Sequence, residues 1–147
     1  MDSPGFFTLG DFTITTARTY APDAGEELTG LDGAVSATVR LAFGYGTGSG
    51  SPSGKAYLQT SLDQANEGGA PSGNWIDIAC VTFDTASKVW VFNFSALTPK
   101  TSPVTPSDGA LAGDTAVDGL LGDRLRLKVV TLGTYANTSF SGSVVVR

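Results

Sequence analysis

From Lys88 to Leu97 the chain reads KVWVFNFSAL. In an extended backbone Lys88, Trp90, Phe92 and Phe94 fall on one face and Val89, Val91, Asn93 and Ser95 on the other, because strand side chains alternate with period two. Two runs before it are patterned in the same way. KAYLQTSLD begins at Lys55, and WIDIACVTF puts Ile76, Ile78 and Cys80 on one face against Trp75, Asp77, Ala79, Val81 and Phe83 on the other. β-Branched and aromatic residues dominate these runs, and the Gly-rich QANEGGAPSGN and the short DTAS separate them, which argues against helix. Neither face of the last two runs is cleanly polar. Strands of that kind lie centrally in a sandwich or beneath a subunit contact.

The rest of the chain repeats the theme. AVSATVRLAFGY carries Val35, Ala37, Val39, Leu41 and Phe43 on one face and Ser36, Thr38 and Arg40 on the other. DFTITTART is a Thr-rich strand, DRLRLKVVTLG turns Leu125, Leu127 and Val129 inward, and SFSGSVVVR closes the chain. Between these runs GTGSGSPSG reads as a flexible hairpin tip, and Gly133 to Thr138 as a turn. TPKTSPVTPSDGALAG, with Pro99, Pro103 and Pro106, is expected to cross the end of the fold in extended form. DTAVDGLLGD can form one helical turn capped by Asp114. Arg124, Arg126 and Lys128 are expected on a solvated face, as are Glu26 and Glu27. The expectation is a single-domain, all-β sandwich of about seven or eight antiparallel strands, of immunoglobulin-like or jelly-roll topology.

At 147 residues one domain suffices to bury a core without disulfides or metals. Residues 11–147 form the expected sandwich, and residues 1–10 an extended N-terminal arm. The adjacent Phe6 and Phe7 cannot both face one core from an extended segment, so one is expected under its own domain and the other under a neighbour. The alternative is a short edge strand packed wholly on its own sandwich. Pro4, Phe6, Phe7 and Tyr45 are the candidate partner-interface residues.

The chain has no His, which removes the commonest general base and metal ligand together with Ser-His-Asp and Cys-His catalysis. Its one cysteine, Cys80, sits mid-strand among apolar residues and reads as a buried small hydrophobe. Asp114, Asp118 and Asp123 lack the alternating spacing of an EF-hand loop. Asp63, Asp77 and Asp84 near strand ends, and Glu67 in a loop, do not pair across an evident cleft. No catalysis and no cofactor are expected. A net charge of −5 argues against phosphate-backbone binding, and no apolar run approaches the ~20 residues that span a bilayer. Neither nucleic acid nor membrane is an expected partner, and the start lacks a signal-peptide pattern, so a cytosolic origin is expected. Tyr45, Tyr57, Trp75 and Trp90 keep a carbohydrate-binding module open, since flat rings stack on sugars.

The elements LQTSLD, GNWIDIACVTF, VFNFSAL and DGLLGDRLRLKVVTLGTY together resemble a group of small virion proteins of tailed bacteriophages. Those proteins carry a similar Leu-Gln-x-Ser-x-Asp, Gly-rich turn, Trp-x-Asp-Ile element and late Leu-Gly-Asp-Arg-x-Arg strand. The likeness spans roughly Lys55 to Tyr135, with a longer loop here from Gln64 to Asn74. It implies a structural role in the particle with no catalytic residues. The expected function is a capsid decoration (cement) protein on the outside of the shell, bridging copies of the major capsid protein and self-associating as a homotrimer. A tail component, whether tube, terminator or spike base, is the alternative, and Gly44 to Gly54 would be a tube protein's long hairpin.

Overall fold

The computed structural model describes residues 4–21, 27–31, 33–62 and 74–147. They form β1 (Gly5–Ile14), β2 (Thr19–Tyr20), β3 (Ser36–Gly44), β4 (Thr47–Ser61), β5 (Ile76–Phe83), β6 (Lys88–Ser95), β7 (Thr115–Ala116), β8 (Arg124–Ala136) and β9 (Thr138–Val146). No helix occurs among the described residues. One sheet has the order β1-β9-β3-β6 and the other β2-β8-β4-β5-β7, every pairing antiparallel. Without the two-residue β7, the first sheet takes the first, eighth, third and sixth strands, and the second takes the second, seventh, fourth and fifth. That double Greek key is a jelly roll, which settles the topology that periodicity left open.

Inward side chains of both sheets meet in a single core. Leu9, Ile14, Val39, Leu41, Phe43, Phe94, Phe140 and Val144 come from the first sheet, and Leu58, Ile78, Phe83, Leu125, Leu127 and Val129 from the second. At one end Phe43, Phe83, Tyr135 and Phe140 pack ring on ring, with Phe43 and Phe83 centroids 4.3 Å apart. Between β1 and β2 the Tyr20 hydroxyl accepts from Thr15 N–H and donates to Thr16 O, pinning the corner where the chain changes sheets.

Several local expectations are corrected. From Gly5 onward the expected arm is the first half of a ten-residue edge strand, β1, paired along β9 from Gly5↔Val146, with Phe7 packed on its own core and Phe6 left exposed. Met1 to Ser3 lie outside the described residues. GTGSGSPSG is no projecting tip: Thr47 to Ser49 pair with Ala136 to Thr134, and Gly50 to Pro52 bulge opposite Gly133, with Pro52 buried. The turn expected over 133–138 contracts to Asn137 at φ 49°. The expected helical turn is β7 instead, because Asp114 spends its carboxylate on Thr82 N–H and Oγ across the sheet rather than on a helix start.

Candidate functional site

The two outward faces of the sandwich differ in kind. That of the second sheet is a covered polar network. It begins with a β-bulge: Leu58 pairs with Ala79 but Gln59 with Asp77, so β5 carries an extra residue. Strict alternation would put Asp77 beside Phe83. The bulge instead turns Ile78, Ala79, Val81 and Phe83 inward and leaves Asp77 and Cys80 outward.

There Asp77 accepts from Gln59 Nε2 (2.7 Å), Ser107 Oγ (3.0 Å) and the backbone N–H groups of Gly109 (2.8 Å), Ala110 (2.9 Å) and Leu111 (3.1 Å). Burial by itself pushes this carboxyl up, but the hydrogen bonds from Gln59, Gly109, Ala110 and Leu111 outweigh it, and its pKa lies below the ordinary value. Asp108 receives Gln59 Nε2 and Lys128 Nζ, at 2.7 and 2.8 Å.

The Pro-rich segment is thereby laid over the outer face of β4, β5 and β8 rather than across an end of the fold. Beneath it Arg126 and Lys128 are mostly enclosed, not solvated. Arg124 is fully buried and ion-paired with Glu27 at 3.3 Å, which corrects the solvated reading of Glu27 as well. Glu26 lies outside the described residues. The Arg124 and Arg126 guanidiniums sit over the ring of Trp75 at 4.7 and 4.3 Å. Both carboxylate oxygens of Asp77 are spent on donors, so this cluster fastens the 107–111 segment to the sheet. Cys80 lies next to it with no exposure, and burial, its largest influence, pushes the thiol up from its ordinary value.

The outward face of the first sheet is open. Strand register lines its side chains into rows: Phe6, Val145, Thr38 and Asn93; then Thr8, Ser143, Arg40 and Val91; then Asp11, Ser141, Ala42 and Val89; then Thr13 and Ser139 beside Gly44. Only Arg40 and Asp11 are charged. Phe6 is 69% exposed, Val91 67% and Val89 52%. This is an uncovered surface of small, mostly uncharged side chains on which Phe6, Val89 and Val91 are the exposed apolar groups.

The four expected interface residues do not form one patch. Pro4 and Phe6 are exposed, Phe6 in the row containing Val145 and Pro4 just ahead of β1. Phe7 points the other way and packs on the core. Tyr45 follows Gly44 at the opposite end of the sheet, half-buried, with its ring edge-on to Tyr135 at 6.2 Å. What sequence reasoning missed was the open face itself. Its signal was present in the outward alternate positions of four strands, where Ser, Thr, Val and Ala recur and charge is scarce.

The rings considered for sugar stacking are engaged. Trp75 and Tyr57 are buried, and Trp90 is half-buried and stacked on Phe140 at 6.0 Å. Asp114 and Asp118 each serve a backbone amide, those of Thr82 and Ser95. No three acidic or cysteine side chains gather to hold a metal among the described residues.

Fold and faces together define a class: a two-sheet jelly-roll domain with one face fastened down and the other left as a bare surface. No family model matches the chain, and neither a curated protein nor a solved structure does.

Proposed function

We propose that this chain is a structural component of a phage virion, a decoration protein that seats on the outer surface of the capsid shell and bridges its major capsid subunits. The observation that carries the reading is the open outward face of the β1-β9-β3-β6 sheet, where Arg40 and Asp11 are the only charges among the rows of Ser, Thr, Ala and Val. A second support is the likeness of Lys55 to Tyr135 to small virion proteins. Jelly rolls recur in viral capsid proteins and also in lectins, so the fold contributes analogy only. The net charge of −5 suits a position outside the shell, away from packaged nucleic acid.

The tail-tube alternative leaned on a projecting hairpin at Gly44 to Gly54, and of those residues Thr47 to Ser49 and Ser53 to Gly54 lie along β8. The test is co-sedimentation with shells stripped of their decoration. The protein is expected in the pellet at micromolar concentration, and Ser141→Arg, placed in the middle of the face, is expected to stay in the supernatant with an unchanged fold. Failure of the wild-type chain to pellet would count against the decoration role.

A further inference from the structure

Sheet edges expose unpaired backbone groups, and a stable monomer blunts them. In the second sheet the edge strands β2 and β7 are two residues each. The remaining edge of β5 is covered through Asp77 N–H to Ser107 O, Val117 N–H to Ile78 O and Thr82 N–H to Asp114. In the first sheet β1 is interrupted by the bulge between Thr8 and Gly10 and carries Asp11. β6 carries such devices only at its two ends, Lys88 at its start and the Asp118 cap on Ser95, and Val89 to Asn93 between them have none. Ala96 N–H donates to Val35 O, and with Ser36 opposite Ser95 this points the amides of Trp90, Phe92 and Phe94 at β3. The amides of Val89, Val91 and Asn93 then face outward, with no hydrogen-bond partner among the described residues. Ser95 shows the same direction, since its N–H is capped by Asp118 at 2.8 Å, which ends the open stretch.

We propose that this edge of β6 pairs antiparallel with the same edge of a second copy of the chain, about a two-fold axis through Val91, making one continuous sheet across a dimer. The register is self-complementary. Val91 lies opposite itself and Val89 opposite Asn93 of the other copy, closing about six ladder hydrogen bonds. Charge complements as well: Lys88 of one copy falls next to Asp118 of the other at both ends, and the two lysines stay far apart. The core is also incompletely covered here. Trp90 and Phe92, both half-buried, line a cavity of about 180 Å³ with Ala79, Val81 and Thr115. In the pair, Phe92 of the second copy comes beside Trp90. A head-to-tail contact of β6 with β1 would have to match a regular ladder to a bulged one.

This two-fold pair replaces the homotrimer expected by analogy with cement proteins. It does not depend on shell binding, because it is read on the purified chain alone. Sedimentation equilibrium of the full chain is expected to give a dimer. Val91→Pro removes an outward N–H without removing any bond within the sheet, and Val91→Lys brings two ammonium groups together at the axis. Both are expected to sediment as monomers with wild-type circular dichroism. In the wild-type dimer the amides of Val89, Val91 and Asn93 are expected to exchange far more slowly than the β1 edge amides of Thr8 and Thr13. A monomeric wild type, a trimer, a dimer that survives both substitutions, or fast exchange at those three amides would each overturn the proposal.

Discussion

At the scale of single residues, Asp77 is the most consequential side chain outside the apolar core. Its carboxylate gathers three consecutive backbone amides of the 109–111 segment and two side-chain donors, and it is 3% exposed. Asp77→Ala would leave those buried donors without an acceptor, at a cost of about 3 kcal/mol read as a lower urea midpoint. The pH dependence has a definite sign. Hydrogen bonds hold the carboxyls of Asp77, Asp108 and Asp114 below their ordinary range in the fold. Their stabilisation is complete above the unfolded value of about 4 and is lost as pH falls through the lower folded values. Urea midpoints are therefore expected to stay level from neutral pH to about 5 and drop steeply below about 4, less so in Asp77→Ala. Phe6 and Phe7 make the complementary case. Phe6→Ser removes an exposed ring, so stability should move by less than about 0.5 kcal/mol while shell co-sedimentation weakens. Phe7→Ser, opening the core, should cost several times more. Deleting Met1 to Thr8 would not separate these effects, because it also strips paired backbone from β9.

At the scale of elements, the strands were legible and their irregularities were not. Alternation in AVSATVRLAFGY and SFSGSVVVR predicts β3 and β9 within a residue or two, and the observed burial follows it. In β5 the same rule holds from Ala79 to Phe83 and fails between Asp77 and Ala79, because a bulge inserts one residue there and reverses the side on which Asp77 emerges. Nothing local to WIDIACVTF announces that. It is imposed by the donors at Gln59 and 107–111, which reward an outward carboxylate. The glycines between β3 and β4 mislead in a similar way. They read as flexibility, yet Gly46 lies so close to the backbone carbonyls of Ala136 and Asn137 that a Cβ has no room, where the β3–β4 and β8–β9 connections pass side by side. Gly46→Ala is expected to destabilise by about 2 kcal/mol through forced backbone movement, measured as a fall in melting temperature. Gly33→Ala, with open space around it but a φ of 82°, should cost about 1 kcal/mol from strain alone.

At the scale of the whole molecule, function is a matter of which surfaces the fold leaves bare. Closing the second sheet's outer face with the Pro-rich segment and leaving the first sheet's face and the β6 edge open is what the proposed shell contact and dimer both rest on. The two surfaces are told apart by their readouts: Ser141→Arg should abolish pelleting and leave the dimer, whereas Val91→Pro, at a position shared by the face and the edge, is read by loss of the dimer alone. The amino-acid order by itself determined that the chain is a β-sandwich, which residues face inward on most strands, and that histidine chemistry is excluded, because period-two patterning and composition are local properties. Tertiary structure alone decided the jelly-roll order, the burial of Arg124 with Glu27 and the open edge at Val89 to Asn93. Each of those depends on strands far apart in the chain meeting in space, and a pairwise register of that kind leaves no trace in the residues of either strand taken singly.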